Sequence, residues 1–149
     1  MAVIGVAVFE RLFREAGDLD VDKSDQKRYR DFVREKIADL LIIAQAKARA
    51  DGRDLIEARD LPITRGLQET IHAFRRLGVS NEVRPLLDEI AIRPQLDLPV
   101  TDEIDEELPE VAGGLTLALA RTFRIIDPDV KNPQGVQWER AFRIFHLLL

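Results

Sequence analysis

ARADGRDLIEARDL, residues 48–61, is the stretch on which the fold turns. It closes the longest helical pattern in the chain. Asp51-Gly52 reads as a helix end, because Gly takes the left-handed C′ position at little cost. Arg-Asp then occurs twice, at 53–54 and 59–60, around the apolar pair Leu55-Ile56. A flexible linker needs no such repetition. The spacing fits a loop that holds two helices at a fixed angle, with Ile56 anchored in the core and Asp54 and Arg59 in solvent.

Upstream, residues 25–51 carry Tyr29, Phe32, Val33, Ile37, Leu40, Leu41, Ala44 and Ala48 on one helical stripe. A helix of that span reaches roughly 40 Å. LLII (40–43) is apolar almost all round, which predicts a central strut covered on more than one side at its middle. Ser24 or Asp25 is the expected N-cap. Before it, VAVFERLFREA (6–16) is a short helix with Val6, Phe9, Leu12, Phe13 and Ala16 inward and Gly17 as its stop. Downstream, a helix start near Glu57 is interrupted by Pro62. A connecting helix then carries Leu67, Ile71, Phe74 and Leu77 and ends at Gly78.

The second half repeats the order short, long, short without a residue-by-residue repeat. Residues 81–92 form a short helix with Leu86, Leu87 and Ile90 inward. Residues 101–127 form a long one with Pro109 in its first third, and Gly113-Gly114 mark a close helix crossing or a kink. Residues 136–149 form the last, with Trp138, Ala141, Phe142, Phe145 and Leu148 or Leu149 on its core face. No segment reads as a useful strand. The expected fold is all-α, in two units, 1–78 and 79–149, sharing one core.

The 149 residues suffice for one domain with a real core. Cysteine is absent, which excludes disulfides, thiolate metal sites and Cys nucleophiles. MAVIGVAVFERLF (1–13) lacks a basic leader and is too short for a membrane span, so a cytoplasmic protein without membrane contact is expected. The net charge of −5 is uneven. Residues 1–78 hold 15 Lys and Arg against 14 Asp and Glu, and residues 79–149 hold 7 against 13. A general nucleic-acid coat is basic, and only the first half can offer a basic patch.

Short helix, loop, long helix, loop, short helix is the histone-fold pattern, and residues 9–61 resemble an archaeal histone. FERLFREAG (9–17) is similar to its first helix, Val21 to its first-loop apolar residue, and Gly52-Arg53, Ile56, Ala58 and Asp60-Leu61 to its second loop. The run from Gly17 to Gly52 agrees in spacing without a gap. The resemblance implies that Arg53 and Asp60 form the family's Arg–Asp clamp. Independently, a planar guanidinium suits a carboxylate, and an Asp suits a helix N-terminus. Two such units in one chain resemble the bacterial single-chain double histone-fold family, a domain of unknown function. That implies an intramolecular pseudodimer, monomeric as a chain.

DNA-binding histone folds place basic residues on the first helix and both loops. Arg11 matches one of those positions. Asp20 and Asp54 stand where archaeal histones carry basic loop residues, and there they turn attraction into repulsion. Lys27, Arg28, Arg30 and Arg34 are further candidate DNA contacts, although Tyr29 among them lies on the core stripe. Arg75-Arg76 adds basic character. DEIDEE (102–107) fits dipole-favoured capping, with a cation or basic partner as the other reading. No phosphate loop, dinucleotide fingerprint, zinc motif or nucleophile elbow is present. His72 and His146 lie beside core stripes, where histidine is ordinarily structural. The expectation is a non-enzymatic protein without a cofactor, acting through protein–protein contacts with at most weak DNA association. A nucleoid DNA-binding protein and a small enzyme using unrecognised carboxylates are the alternatives.

Overall fold

The computed structural model describes residues 5–149, and the N-terminal reading above falls partly on residues 1–4, outside them. Six helices form where apolar spacing predicts them: α1 (Val6–Gly17), α2 (Gln26–Ala50), α3 (Arg65–Arg76), α4 (Ser80–Ile90), α5 (Asp102–Ile126) and α6 (Gly135–Leu148). The fold is all-α. Its strand-like pairing among the described residues is a single parallel bridge between Ile56 and Val100. No helix among the described residues is long and apolar enough to cross a membrane.

One core draws on both halves of the chain. Phe13 meets Phe9 and Tyr29 edge to face, and Phe13 and Phe123 meet Trp138 at centroid distances of 5.7 and 4.9 Å. Between the long helices, the Tyr29 hydroxyl donates to Thr116 Oγ1 at 2.7 Å, because Thr116 spends its own proton on the Ala112 carbonyl. Burial pushes the Tyr29 hydroxyl's pKa up, so it stays a donor.

The central strut is α5, not α2. Leu40 and Leu41 are buried, but Ile42 and Ile43 are 53% and 51% exposed, so LLII is covered on one side only. In α5, residues 111–117 are buried without a break. The crossing that Gly113-Gly114 announced is with α3. A Cβ on Gly113 would stand 2.5 Å from the Phe74 ring, and one on Gly114 would stand 3.0 Å from the Ile71 backbone nitrogen.

Helix ends depart from the sequence reading in instructive ways. Asp18, not Gly17, takes the left-handed turn after α1, with φ 53°. Gly17 is small for another reason, since a Cβ there would meet Ala120 Cβ at 3.0 Å. Asp25, one of the two expected residues, holds the N-cap position of α2, but its side chain makes no cap bond to that helix. Asp22 accepts from the Ser24 amide and Asp25 returns a bond from the Asp22 amide, around a 3₁₀ turn at Lys23–Asp25. Near Glu57 only a 3₁₀ turn forms, Ala58–Asp60, and after Pro62 the helix begins at Arg65 under a Thr64 cap. Of the alternatives Leu148 and Leu149, Leu148 is exposed and Leu149 packs partly buried against the core.

Candidate functional site

The end of α2 places Arg53. Gly52 sits at φ 71°, its amide reaching the Arg49 carbonyl at 2.9 Å while the Arg53 amide reaches the Ala48 carbonyl at 2.9 Å. This is a Schellman turn, and it aims Arg53 back over its own loop. The guanidinium then grips Asp60 with two bonds, Nη1 to Oδ2 at 2.8 Å and Nη2 to Oδ1 at 2.6 Å. Further bonds run from Arg53 to Glu57 and Asp51, both at 2.8 Å. The Arg53 hydrogen bonds hold the Asp60 carboxyl down at about 2 against the opposing effect of its burial. Ile56 is fully buried, while Asp54 and Arg59 are exposed.

That loop is one half of a joint between the two parts of the chain. The Ile56 amide donates to the Pro99 carbonyl at 2.9 Å, and the Thr101 amide to the Ile56 carbonyl at 3.1 Å. Gln45 Oε1 accepts from the amides of Asp97 and Leu98, and Arg49 pairs with Asp97 at 2.7 Å. The opposite end of the molecule has a second joint. There the Asp20 amide donates to the Lys131 carbonyl at 2.7 Å, and Lys131 pairs with Asp18 at 2.9 Å. The Lys131 bond keeps the Asp18 carboxyl below its ordinary pKa. Arg124, which sequence reasoning missed, ties this joint by donating to the carbonyls of Gly17, Asp18 and Val130 at 3.0, 2.9 and 2.6 Å. Nothing in RTFRIID sets it apart from a surface arginine.

The candidate DNA contacts do not converge on a free basic patch. Arg11 pairs with Glu15 and with Glu82 of α4. Arg30 pairs with Glu89 of α4, and Arg34 donates to the Glu89 carbonyl at 3.5 Å. Lys27 pairs with Asp31 at 2.7 Å. Arg28 faces Asp25 at 3.8 Å and lies over the Trp138 ring at 5.9 Å. The acidic α4 thus covers the basic sides of α1 and α2. Asp20 and Asp54 are both exposed.

Other titratable groups have local explanations. Thr101 caps α5, its side chain accepting from the Ile104 amide, with Asp102, Glu103 and Asp105 in the first turn. Burial, then the neighbouring Glu103 and Glu110, raises the Glu107 carboxyl's pKa. Lys36 is 1% exposed and donates to His146 Nδ1 at 3.0 Å, with Asp39 at 3.6 Å. An ammonium has no lone pair, so His146 is the acceptor there. His72 is exposed. Among the described residues no three His, Asp or Glu side chains converge in a way that could hold a metal ion.

Comparison with known proteins gives relatives along nearly the whole chain. A crystal structure of a Thermus thermophilus protein is similar at 52% identity and a TM-score of 0.87, covering 98% of this chain and 99% of that one. The crystal structure of protein AQ328 from Aquifex aeolicus is similar at 26% identity and a TM-score of 0.79, covering 96% of this chain and 94% of that one. An uncharacterised protein of Aquifex aeolicus (strain VF5) is 30% identical over 120 residues, 80% of this chain and 70% of that protein. Residues 9–146 match the family described as a domain of unknown function, DUF1931, and the chain belongs to that family.

Proposed function

We propose that the chain is a histone-fold pseudodimer that acts without enzymatic chemistry, through protein–protein contact, and associates with DNA at most weakly. Support for the architecture comes from the reciprocity of the joints. The first loop of each half meets the second loop of the other, as in two histone-fold chains pairing. Residues 1–78 expressed alone are therefore expected to be unfolded or self-associated. Their α1 and α3 both rest on α5, which that fragment lacks. Sedimentation and a thermal melt decide this, and a well-folded monomeric fragment would refute the shared core.

The observation that carries the functional reading is electrostatic. Every candidate DNA contact already has a carboxylate or carbonyl of its own chain, while Asp20 and Asp54 stand exposed at the loops. Phosphate binding at that face would break internal pairs and meet like charge. Binding to duplex DNA is expected to be weak or absent at physiological salt. Asp20→Arg with Asp54→Lys should strengthen it and steepen the log–log salt slope by roughly 0.9 for each additional phosphate neutralised. Fluorescence anisotropy against salt is the measurement. Tight wild-type binding with a steep slope would restore the nucleoid-protein alternative.

A further inference from the structure

An apolar groove of about 480 Å³ runs between the start of α3, the C-terminal half of α5 and the end of α6. Ala118, Ile125, Ile144 and Phe145 line it together with three threonines. Those threonines each hold an internal hydrogen bond. Thr64 Oγ1 accepts from the Leu67 amide, Thr70 donates to the Leu67 carbonyl, and Thr122 donates to the Ala118 carbonyl. What remains for a partner is mainly apolar surface. Ile125, on its wall, is 80% exposed, and Leu147, in an adjoining hollow that shares Ile144, is 84% exposed.

The rim has the opposite character. Among the described residues, nearly every lysine and arginine has a carboxylate or carbonyl partner within the chain. The exceptions are Arg14, Lys23, Arg76, Arg121, Arg140 and Arg143. Four of these six border the groove and its continuations, where Arg121 and Ile144 are shared between adjoining hollows. A chain of net charge −5 therefore places four of its five unpartnered arginines in this groove and the hollows adjoining it.

We propose that this groove receives an acidic amphipathic helix of a partner protein, its apolar ridge against Ile125, Ile144 and Phe145 and its carboxylates against the rim arginines. The inference rests on the protein-contact reading and adds its place and chemistry. A helix ridge suits a concave, mainly apolar trough. Two copies packed groove to groove would face arginine with arginine. Charge complementarity then selects acidic flanks over basic ones.

The test uses the full chain and a labelled model peptide with Leu at i, i+3, i+4 and i+7 and Glu on the flanks. The same peptide with Lys for Glu, and phosphatidylglycerol vesicles, serve as rivals. The Glu peptide is expected to bind about tenfold more tightly than the Lys peptide. Arg121→Glu with Arg143→Glu should reverse that order, Ile125→Ser should weaken both, and Arg14→Glu should change neither. Melting curves keep folding apart from binding, since all four side chains are exposed. Equal affinity for the two peptides, or indifference to the rim variants, would overturn the proposal. Self-association of the full chain abolished by Ile125→Ser would assign the groove to a second copy. Vesicle binding abolished by the rim variants would assign it to lipid, and either result also overturns the proposal. A silent peptide alongside weak DNA binding removes the groove and leaves the protein-contact reading. Tight DNA binding removes that reading whatever the peptide does.

Discussion

Gly114→Ala is expected to destabilise the chain by about 3 kcal/mol, although alanine in a helix interior ordinarily gains up to about 1 kcal/mol over glycine. The added Cβ would stand 3.0 Å from the Ile71 nitrogen and 3.1 Å from its Cα, and backbone in a packed helix has nowhere to go. Relief requires α3 to lift from α5, which opens the core over the run that is buried all round. Gly114→Val should not fold. Gly113→Ala meets a ring rather than a backbone, Phe74 Cδ2 at 2.5 Å, so shortening that side chain with Phe74→Leu should recover part of the loss. Urea melts of the two single variants and the Gly113→Ala/Phe74→Leu double variant measure this. A Gly114→Ala protein as stable as wild type would mean that α3 does not cross α5 at that point.

Arg53→Ala is the second large effect. Asp60 is 1% exposed, and removing the guanidinium strands its carboxylate with only the Glu57 amide at 2.9 Å. Breaking a buried pair from one side costs about 3–5 kcal/mol. The Arg53→Ala/Asp60→Ala double variant should lose less than the sum of the singles, by roughly 0.5–3 kcal/mol. Strictly additive losses would mean that the two side chains do not act together.

The same pair predicts a pH dependence. The Asp60 carboxyl has a folded pKa of about 2 against an ordinary 3.8, so it contributes stability above the ordinary value. That contribution, about 2 kcal/mol, is lost as pH falls from about 4 through about 2. In Arg53→Ala the main cause of that depression is gone and burial opposes it, so this loss of stability on acidification should shrink or vanish in the variant. Denaturant midpoints followed between pH 5 and 2 check it, and parallel curves for wild type and variant would contradict it.

What could be read in the sequence was what is local. Gly52, Arg53, Ile56 and Asp60 lie within nine residues, where loop chemistry fixes their geometry, and each has the place that the spacing implied. The rank of the two long helices was misread because apolar letters are a poor guide to burial by themselves. LLII suggested a covered middle and left Ile42 and Ile43 in solvent. VAGGLTLALA (111–120), with its small residues, is covered on nearly every side because neighbours can approach it closely. Pairs that join distant segments left no trace in one sequence. Nothing near Glu82 or Glu89 says that they answer Arg11 and Arg30, so the basic face looked freer than it is. The groove was hidden by spelling. Thr64, Thr70 and Thr122 read as polar, yet each holds an internal hydrogen bond and they line a mainly apolar hollow.

The two joints also constrain the order of events in folding. Lys131 meets Asp18 across 113 positions and Arg124 meets Gly17 across 107, so the first loop waits for almost the whole chain. Contacts this distant in sequence slow the search for the native state, even in a helical protein. A growing polypeptide would present the apolar stripe of α2 long before α5 exists to cover it. Refolding is therefore slower than helix content alone suggests, and the half-made chain is the form most exposed to aggregation.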